Sequence, residues 1–350
     1  MEIDSLKHLL RLLSVSALAA MVSACSGTGA IPNAKTASAD VGKTMRSQAK
    51  TNAAQQTLYV LNSANPHPTV SVYSANGKAL IRTIDLGPVA GKGIPELAVN
   101  SKQQLLATNG GVLDIYGNRG AQLVGTLKQS SGWNRITVDE SDNLYTDCGG
   151  RDLCEYANLQ QTLTRRVKNA APIAIATDQS GDVGVISAAG SILVYPPTGT
   201  NPSWTLSNIT AYALAFDQSG NLYVSTNSGI AVYAPGTSTP SRTISLGSSY
   251  ASALYFDASG NLYVIADDKG SYTIQVFAPG GSTPTATISS SGLDTPVALA
   301  FGAANRLYVA NHGHGSGDTG SAIIYQNLEK MPVRTIKNDV YIPTSVAFTQ

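Results

Sequence analysis

The stretch LAFDQSGNLYV, residues 214–224, decides the fold because it recurs along the chain. Close copies are LYFDASGNLYV at 254–264 and LAFGAANRLYV at 299–309, and weaker copies are LAVNSKQQLLA at 97–107, ITVDESDNLYT at 136–146 and IATDQSGDVGV at 175–185. Self-similarity at a period of about 20 to 50 residues is the signature of a repeat architecture. The sequence therefore predicts one structural unit used several times.

Two further markers accompany each copy. A β-branched residue (once Glu) precedes an aromatic residue seven times, with 38 to 48 residues between successive aromatics: Tyr73, Tyr116, Tyr156, Tyr195, Tyr233, Phe277 and Tyr325. A pair resembling Thr-Ile then follows, as at Thr243-Ile244. Each unit thus contains four short apolar runs separated by turn residues, which is the pattern of a four-stranded propeller blade.

The ends of the repeat region complement each other. The region begins with a second strand, Leu58-Tyr59-Val60, and ends with a first strand, Ser345 to Phe348. If the last strand completes the first blade, no sheet edge stays open at the closure. The prediction is an all-β, seven-bladed β-propeller over residues 58–350, closed by its C-terminal strand.

The repeats resemble NHL repeats, in which a β run, an Asp, a Gly-Asn turn and a Tyr-Val strand follow one another, as in 214–224. The whole is similar to the seven-bladed propellers of the streptogramin-lyase and lactonase-like superfamily. This resemblance covers residues 58–350 and implies architecture rather than a particular activity, because propellers host many functions.

Composition narrows the class of protein. Of 350 residues, 13% are charged and 43% are hydrophobic, and the formal net charge is +1. These values are not those of a disordered chain or a coiled coil. The small net charge also argues against binding of nucleic acid, which requires a basic surface. A low-charge chain rich in Gly, Ser and Thr suggests an extracytoplasmic β protein.

The N-terminal segment is typical of an export signal. Lys7 and Arg11 precede LLSVSALAAMVSA at 12–24, a short apolar run followed by Cys25. The sequence VSAC resembles the lipobox of bacterial lipoproteins, which implies removal of residues 1–24 and acylation of Cys25. An ordinary signal peptide with an incidental cysteine is the alternative. Ser26, rather than Asp, after the cysteine implies the outer membrane by that family's rule.

Residues 26–57 have no apolar periodicity and carry a net charge of +3. With Cys25 they are predicted to be the lipid anchor and a flexible tether, which places the protein in the cell envelope. The expected partners are a membrane, through the anchor, and a protein, glycan or small-molecule ligand. We expect no nucleic-acid partner, and we expect the protein to be a monomer.

Cys148 and Cys154 lie close together in TDCGGRDLCEY, residues 146–156. In an oxidising compartment, a disulfide pinning the hairpin of the third blade is the leading interpretation. Two cysteines without nearby histidines make a poor zinc site.

The most distinctive loop is NHGHGSGDTGSA, residues 311–322. It holds His312, His314 and Asp318, and His67 occupies the corresponding loop of blade 1, which neighbours blade 7 in a closed ring. The pattern indicates either a ligand or divalent-metal site or a Gly-rich surface loop with solvated histidines. No cofactor other than such a metal is expected.

Other repeated or clustered residues have structural explanations. The repeated Asp residues (Asp139, Asp178, Asp217, Asp257) are predicted to cap turns rather than bind calcium, and the repeated tyrosines (Tyr59, Tyr145, Tyr223, Tyr263, Tyr308) to pack between blades. Aromatic and charged residues predicted on the same rim as the histidine loop are Trp133, Arg135, Arg151, Asp152, Tyr212, Tyr250, Asp267, Asp268, Asp294 and Tyr341.

The sequence lacks Gly-x-Ser-x-Gly, His-Glu-x-x-His and a phosphate-binding loop. The innermost strands also show no acidic residue at a recognisable position facing the channel. We therefore expect a non-catalytic, lipid-anchored protein that uses its propeller as a binding scaffold. A metal-dependent lactonase-like hydrolase or lyase is the alternative that the resemblance implies.

Overall fold

The computed structural model describes residues 56–63, 67–89, 95–129, 132–290, 292–303, 305–313 and 320–349. Cys25, His314 and Asp318 lie outside these ranges, as do the predicted signal peptide and nearly all of the predicted tether. Within these ranges the chain forms seven antiparallel sheets of four strands each.

The strands follow the chain in blade order. Blade 1 contains β1 (Thr57–Asn62), β2 (Thr69–Ser74), β3 (Leu80–Asp85) and the last strand, β28 (Pro343–Thr349). Blade 2 contains β4 (Leu97–Val99), β5 (Leu105–Asn109), β6 (Val112–Gly117) and β7 (Gln122–Lys128). Blade 3 contains β8 (Asn134–Val138), β9 (Leu144–Cys148), β10 (Asp152–Tyr156) and β11 (Arg165–Val167). Short 3-10 turns at Asn118–Gly120 and Ala157–Leu159 follow β6 and β10.

The remaining blades are each one continuous segment. Blade 4 contains β12 (Pro172–Thr177), β13 (Val183–Ser187), β14 (Ser191–Tyr195) and β15 (Trp204–Ser207); blade 5 contains β16 (Leu214–Phe216), β17 (Leu222–Thr226), β18 (Gly229–Tyr233) and β19 (Arg242–Ile244). Blade 6 contains β20 (Tyr250–Phe256), β21 (Leu262–Asp268), β22 (Ser271–Phe277) and β23 (Ala286–Ile288); blade 7 contains β24 (Pro296–Gly302), β25 (Arg306–Asn311), β26 (Ser321–Gln326) and β27 (Arg334–Ile336).

The blades form a closed ring around a channel. Each innermost strand contacts the innermost strand of the next blade, in the order β28, β4, β8, β12, β16, β20, β24 and back to β28. The C-terminal strand β28 pairs with β1, with Tyr59 opposite Ala347. The predicted seven-bladed all-β propeller and its closure are therefore confirmed. No helix among the described residues is long and apolar enough to cross a membrane.

The core lies between neighbouring blades. Tyr223 packs on Phe256 of the next blade with ring centroids 5.0 Å apart, and Tyr308 stacks on Phe348 at 4.9 Å. All five repeated tyrosines are buried. Their predicted role in interblade packing is confirmed, and burial raises the pKa of the Tyr308 hydroxyl to about 12.

The ring has two rims, which we name by their connections. The turn rim carries the connections from first to second strand and from third to fourth strand of each blade. The loop rim carries the connections from second to third strand and from the fourth strand to the next blade. Alternate strands run in opposite directions, so this assignment follows from the strand order.

The repeated Asp residues cap the turn rim. Asp217 Oδ1 accepts hydrogen bonds from the backbone N–H groups of Ser219 and Asn221, both at 2.9 Å. Asp139, Asp178 and Asp257 make the same pair of bonds. Gly220 supplies the positive φ of 76° that the turn needs. The turn interpretation is confirmed.

Candidate functional site on the loop rim

The innermost strands of four blades have local irregularities at the loop rim. The pairing of β12, β20, β24 and β28 with their neighbours skips one residue near that end. An irregularity of this kind bends a strand and re-aims a side chain, and it is common beside functional sites. The skipped residues are partly exposed, whereas their neighbours in sequence are largely buried: Ile173, Ser252, Val297 and Thr344.

Two tyrosines form the most organised group at this rim. Tyr212 lies just before β16, and Tyr250 is the first residue of β20 in the next blade. Their ring centroids are 5.1 Å apart with the planes tilted by 44°. Both rings are half-buried, so each keeps a face near solvent. A pair of this geometry offers a rigid aromatic contact surface with little side-chain entropy to lose.

Hydrogen bonds hold both rings in place. The Tyr212 hydroxyl donates to Asn227 Oδ1, and the Tyr250 hydroxyl donates to Asp267 Oδ2 at 2.9 Å. Asp267 is buried and also accepts from the Gly270 backbone N–H at 2.7 Å. We call Tyr212, Asn227, Tyr250 and Asp267 the tyrosine cluster. It combines apolar ring faces with an acidic group, as ligand sites do.

A second acidic group lies beside the cluster. Asp268 is half-buried, and its Oδ2 accepts a hydrogen bond from Ser248 Oγ at 3.0 Å. Both carboxylates follow the apolar run of β21, which is longer at this end than the second strands of blades 2, 3, 4 and 5. The loop rim of blades 5 and 6 therefore carries local negative charge next to the aromatic pair.

A buried carboxyl group that the sequence analysis did not identify lies next to an innermost strand. Glu96 immediately precedes β4, is buried, and accepts the Ile136 backbone N–H of β8 with Oε2 at 2.8 Å. Burial raises the pKa of Glu96 to about 7; the Ile136 hydrogen bond and Arg135 oppose this rise, and Asp147 adds to it. Glu96 therefore clasps blades 2 and 3 together at the loop rim, and it titrates near neutral pH.

The structure places His67 and His312 on the loop rim, each with a polar contact within its own blade. His67 Nδ1 lies 3.5 Å from Asp85 Oδ1, at the end of the outermost strand of its own blade. His312 Nδ1 lies 3.1 Å from the carbonyl oxygen of Gly313. Among the described residues no group of three His, Cys, Asp or Glu side chains could hold a metal ion. The prediction for His314 and Asp318 falls outside those residues.

The two cysteines of blade 3 are paired as a disulfide, with Cα atoms 5.9 Å apart. They lie in the strands β9 and β10 rather than in the loop between them. Both are buried, so the bond faces the core beside Trp133 and Tyr156. Formation of this disulfide in the cell stays a prediction.

Several residues predicted on this rim make internal contacts that stabilise the fold. Trp133 is fully buried, packs against Tyr156 and donates its indole N–H to the Gly111 carbonyl at 3.2 Å. Asp152 forms an ion pair with Arg166 at 2.7 Å. Of the predicted residues, Arg151 and Tyr341 are exposed on this rim, Arg135 and Asp294 half-buried.

Sequence reasoning missed three buried asparagines. Asn62, Asn109 and Asn311 are the last residues of the second strands of blades 1, 2 and 7. Each donates from Nδ2 to backbone carbonyls of the loop that leads into its own blade. Asn62 binds the Asp339 carbonyl and Asn311 binds that of Gly292. Asn109 binds the carbonyls of Leu86, Gly87 and Pro88. The signal was present as an Asn after LYVL, LLAT and LYVA.

No protein-family model matches the sequence, and no curated protein matches it. A solved structure with a similar fold is the β-propeller domain of Cps50 (Swd1) from Myceliophteria thermophila. The two chains are 14% identical with a TM-score of 0.59, and the match covers 71% of this chain and 88% of that one. At this identity the likeness extends to the fold alone, so the comparison supports a β-propeller.

Proposed function

We propose that this protein is a lipid-anchored, non-catalytic binding scaffold of the bacterial cell envelope, and that its loop rim takes the ligand at the tyrosine cluster.

 The proposed role is binding rather than catalysis. The repeats resemble those of NHL-like and lactonase-like propellers, and we place this protein among them. The observation that carries it is the partly exposed Tyr212–Tyr250 pair, fixed by hydrogen bonds on the loop rim.

The chemistry of the cluster favours a glycan or a protein segment as the ligand. Tyrosine ring faces pack on the apolar face of a sugar or on an apolar side chain, and a neighbouring carboxylate accepts hydrogen bonds from hydroxyl or ammonium groups. The Asp267 carboxylate is already oriented by Tyr250 and Gly270. A group held in this way loses little freedom when a ligand binds, which favours affinity.

The anchor is supported by the sequence around Cys25. The apolar run 12–24 and the VSAC motif fit a mature protein that begins with an acylated cysteine. Residues 26–57 have no apolar periodicity, which fits a tether that holds the propeller away from an outer membrane. Such a placement would keep the ring in an oxidising compartment, where the Cys148–Cys154 disulfide is stable.

Site-specific photo-crosslinking in cells tests the ligand face. A photoreactive amino acid at Ser248, which is exposed beside the tyrosine cluster, should give a discrete crosslinked product. Tyr212→Ala/Tyr250→Ala should abolish that product, and Tyr341→Ala, an exposed tyrosine on the same rim, should preserve it. The same product from a photoreactive group at Thr239 on the turn rim would contradict the proposal.

Metabolic labelling with a fatty acid tests the anchor separately. Label should enter the wild-type chain and be absent from Cys25→Ala. An unlabelled wild-type protein would remove lipid anchoring from the proposal without affecting the ligand face.

A metal-dependent hydrolase or lyase is the second candidate, because Glu96 offers a carboxyl group with a pKa of about 7 at the loop rim. Its metal would need His312 together with His314. Calorimetry with zinc, comparing wild type with His312→Ala/His314→Ala, tests the metal, and turnover of a lactone panel that a chelator abolishes would favour this function. Glu96→Gln would then lower the turnover.

A further inference from the structure

Exposed apolar side chains are concentrated on one part of the turn rim. Among the described residues, eight large hydrophobic side chains are exposed, and six of them lie at or just before the turn-rim ends of outermost strands. Met331 is 74% exposed and Leu123 is 53% exposed. We call these six residues the apolar arc: Leu80, Leu123, Val124, Leu163, Met331 and Val333. They belong to blades 7, 1, 2 and 3, which are consecutive in the ring.

The same connections are entirely different in blades 4, 5 and 6. Their sequences are PPTGTNPS at 196–203, APGTSTPS at 234–241 and APGGSTPT at 278–285, which contain no charged and no large aliphatic residue. Solvated Pro, Gly, Ser and Thr are what an edge exposed to water requires. The apolar arc is therefore a local departure from the repeat rather than a property of the fold.

Charge divides the turn rim along nearly the same line, except that blade 3 carries both Leu163 of the arc and acidic turn residues. The turn-rim connections of blades 7, 1 and 2 carry four basic residues against one acidic residue, Glu329: the basic residues are Lys78, Lys102, Arg119 and Lys330. The first-to-second connections of blades 3 to 6 carry seven carboxylates: Asp139, Glu140, Asp142, Asp178, Asp182, Asp217 and Asp257. Blades 7, 1 and 2 are basic and apolar on this rim, and blades 4 to 6 are acidic and polar. Blade 3 lies at the boundary, where Asp142 forms an ion pair with Lys102 of blade 2 at 3.7 Å.

The chain also enters the propeller within the basic and apolar side. Thr57, the first residue of β1, lies at the turn rim of blade 1 because it is opposite Thr349 at the end of β28. Arg119 of blade 2 donates from Nε to Thr57 Oγ1 at 2.9 Å. The residues before Thr57, which include the predicted tether and Cys25, therefore join the ring between the blades that carry the arc.

We propose that the apolar arc and its basic residues dock the propeller directly on an anionic phospholipid bilayer. Apolar side chains enter the boundary between headgroups and acyl chains, and lysine and arginine are attracted to anionic headgroups, so the two features act on the same surface. The acidic turns of blades 3 to 6 are repelled, so the ring tilts with blades 7, 1 and 2 nearest the bilayer and Leu163 of blade 3 at the edge of the contact. The inference extends the proposed anchoring, but the docking itself needs no acyl group, and it turns the loop rim away from the membrane.

Vesicle sedimentation with the non-acylated chain, residues 26–350, tests the docking. This chain contains all strands of the closed ring. It should bind vesicles of phosphatidylcholine with about one third phosphatidylglycerol, bind pure phosphatidylcholine much more weakly, and lose binding as salt rises from about 0.1 to 0.5 M. Leu123→Ser/Met331→Ser should lower the partition coefficient about tenfold or more. Lys78→Glu/Lys330→Glu should lower it by a similar factor.

Matched controls come from the loop rim. Val89→Ser/Tyr341→Ser changes the two other exposed large apolar residues, and Lys168→Glu/Lys337→Glu changes two exposed lysines there; both should bind vesicles as wild type does. An unchanged thermal midpoint shows that each variant is folded. Equal binding by the arc variants and their controls would overturn the proposal.

A fluorescent probe gives a second measurement that needs no loss of binding. An environment-sensitive label at Met331→Cys should shift to shorter wavelength on the anionic vesicles, and a label at Thr239→Cys in blade 5 should not. Equal shifts at both positions would overturn the predicted orientation. Failure of fatty-acid labelling at Cys25 would remove the anchor and leave these results unchanged, so the two proposals fail separately.

Discussion

The two halves of the ring secure the same blade in different ways. Blades 3 to 6, the repeat half, each carry an Asp that closes the turn between first and second strands on the turn rim, as Asp217 does. Blades 7, 1 and 2, the seam half, lack that Asp and instead carry a buried Asn on the loop rim, as Asn62 does. The repeat half is tied within a turn, and the seam half is tied between a strand and an incoming loop. Blade 2 has both ties, because Asn100 Oδ1 closes its turn by accepting the backbone N–H groups of Lys102 and Gln104 at 3.1 and 2.9 Å.

This difference follows from where the chain ends meet. Blade 1 has no covalent turn between its first and second strands, because β28 and β1 come from opposite ends of the chain. An Asp cap has nothing to close there. Asn62 compensates at the other rim, where Nδ2 binds the Asp339 carbonyl and Oδ1 accepts the Tyr341 backbone N–H. The seam is therefore held by hydrogen bonds between residues far apart in sequence.

The largest expected effect comes from deleting residues 343–350. The deletion removes β28, and with it the Phe348 ring that stacks on Tyr308 and the ladder to β1. We expect a loss of more than about 5 kcal/mol in the free energy of unfolding, which is comparable to the net stability of a domain. Thermal unfolding followed by circular dichroism measures it.

Removal of Gln350 alone is the control, because this residue follows β28. It should leave the thermal midpoint within about 1 °C of wild type. An unchanged midpoint for the longer deletion would mean that the seam does not hold the ring closed.

Glu96 lies at the boundary between the two halves and predicts a pH dependence. Its pKa in the folded protein is raised to about 7 from an ordinary value of 4.5, so the folded protein binds more protons than the unfolded chain between these values. Stability therefore falls as the pH rises from about 4.5 to 7. The full difference corresponds to about 3 kcal/mol at pH 8.

Glu96→Gln removes this titration and keeps an oxygen that can accept the Ile136 N–H. The variant should be more stable than wild type at pH 8 by up to about 3 kcal/mol and similar to it at pH 4.5. Urea denaturation across this pH range provides the measurement, and Glu329→Gln, an exposed position, is the matched control. Parallel curves for wild type and Glu96→Gln would show that Glu96 is not desolvated in the folded protein.

The architecture could be predicted from the sequence because the same pattern of strands and turns recurs in every repeat. In blade 5, the LAF, LYV, AVY and RTI runs each became one strand, and the complementary chain ends predicted β28 beside β1. The Asp caps were also predictable, because Asp-x-Ser-Gly-Asn places an acceptor and a positive-φ residue within one turn.

The site was much less predictable because it depends on contacts between blades. Tyr212 and Tyr250 are 38 positions apart, and only the ring brings their side chains together. Glu96 was overlooked because it precedes its strand, and its burial comes from blade 3. The histidine pattern was visible in the sequence, yet His67 turns to Asp85 within its own blade.

Asn62→Ala tests the tie of the seam half. The change leaves the Tyr341 backbone N–H and the Asp339 carbonyl without this buried partner, which should cost about 2 kcal/mol in the free energy of unfolding. Chemical denaturation measures the loss. Asn201→Ala, at an exposed position in blade 4, should cost less than about 0.5 kcal/mol. Equal effects would mean that water replaces the Asn62 side chain without loss.

Asp217→Ala tests the tie of the repeat half and should have the smallest effect. The N–H groups of Ser219 and Asn221 lie at the surface of the turn rim, so water takes over part of their hydrogen bonding, and the expected cost is about 1 kcal/mol. Asp217→Asn keeps the side-chain acceptor and should cost less. If Asp217→Ala instead cost more than Asn62→Ala, the turns rather than the seam would dominate the stability of the ring, because a surface tie would then outweigh a buried one.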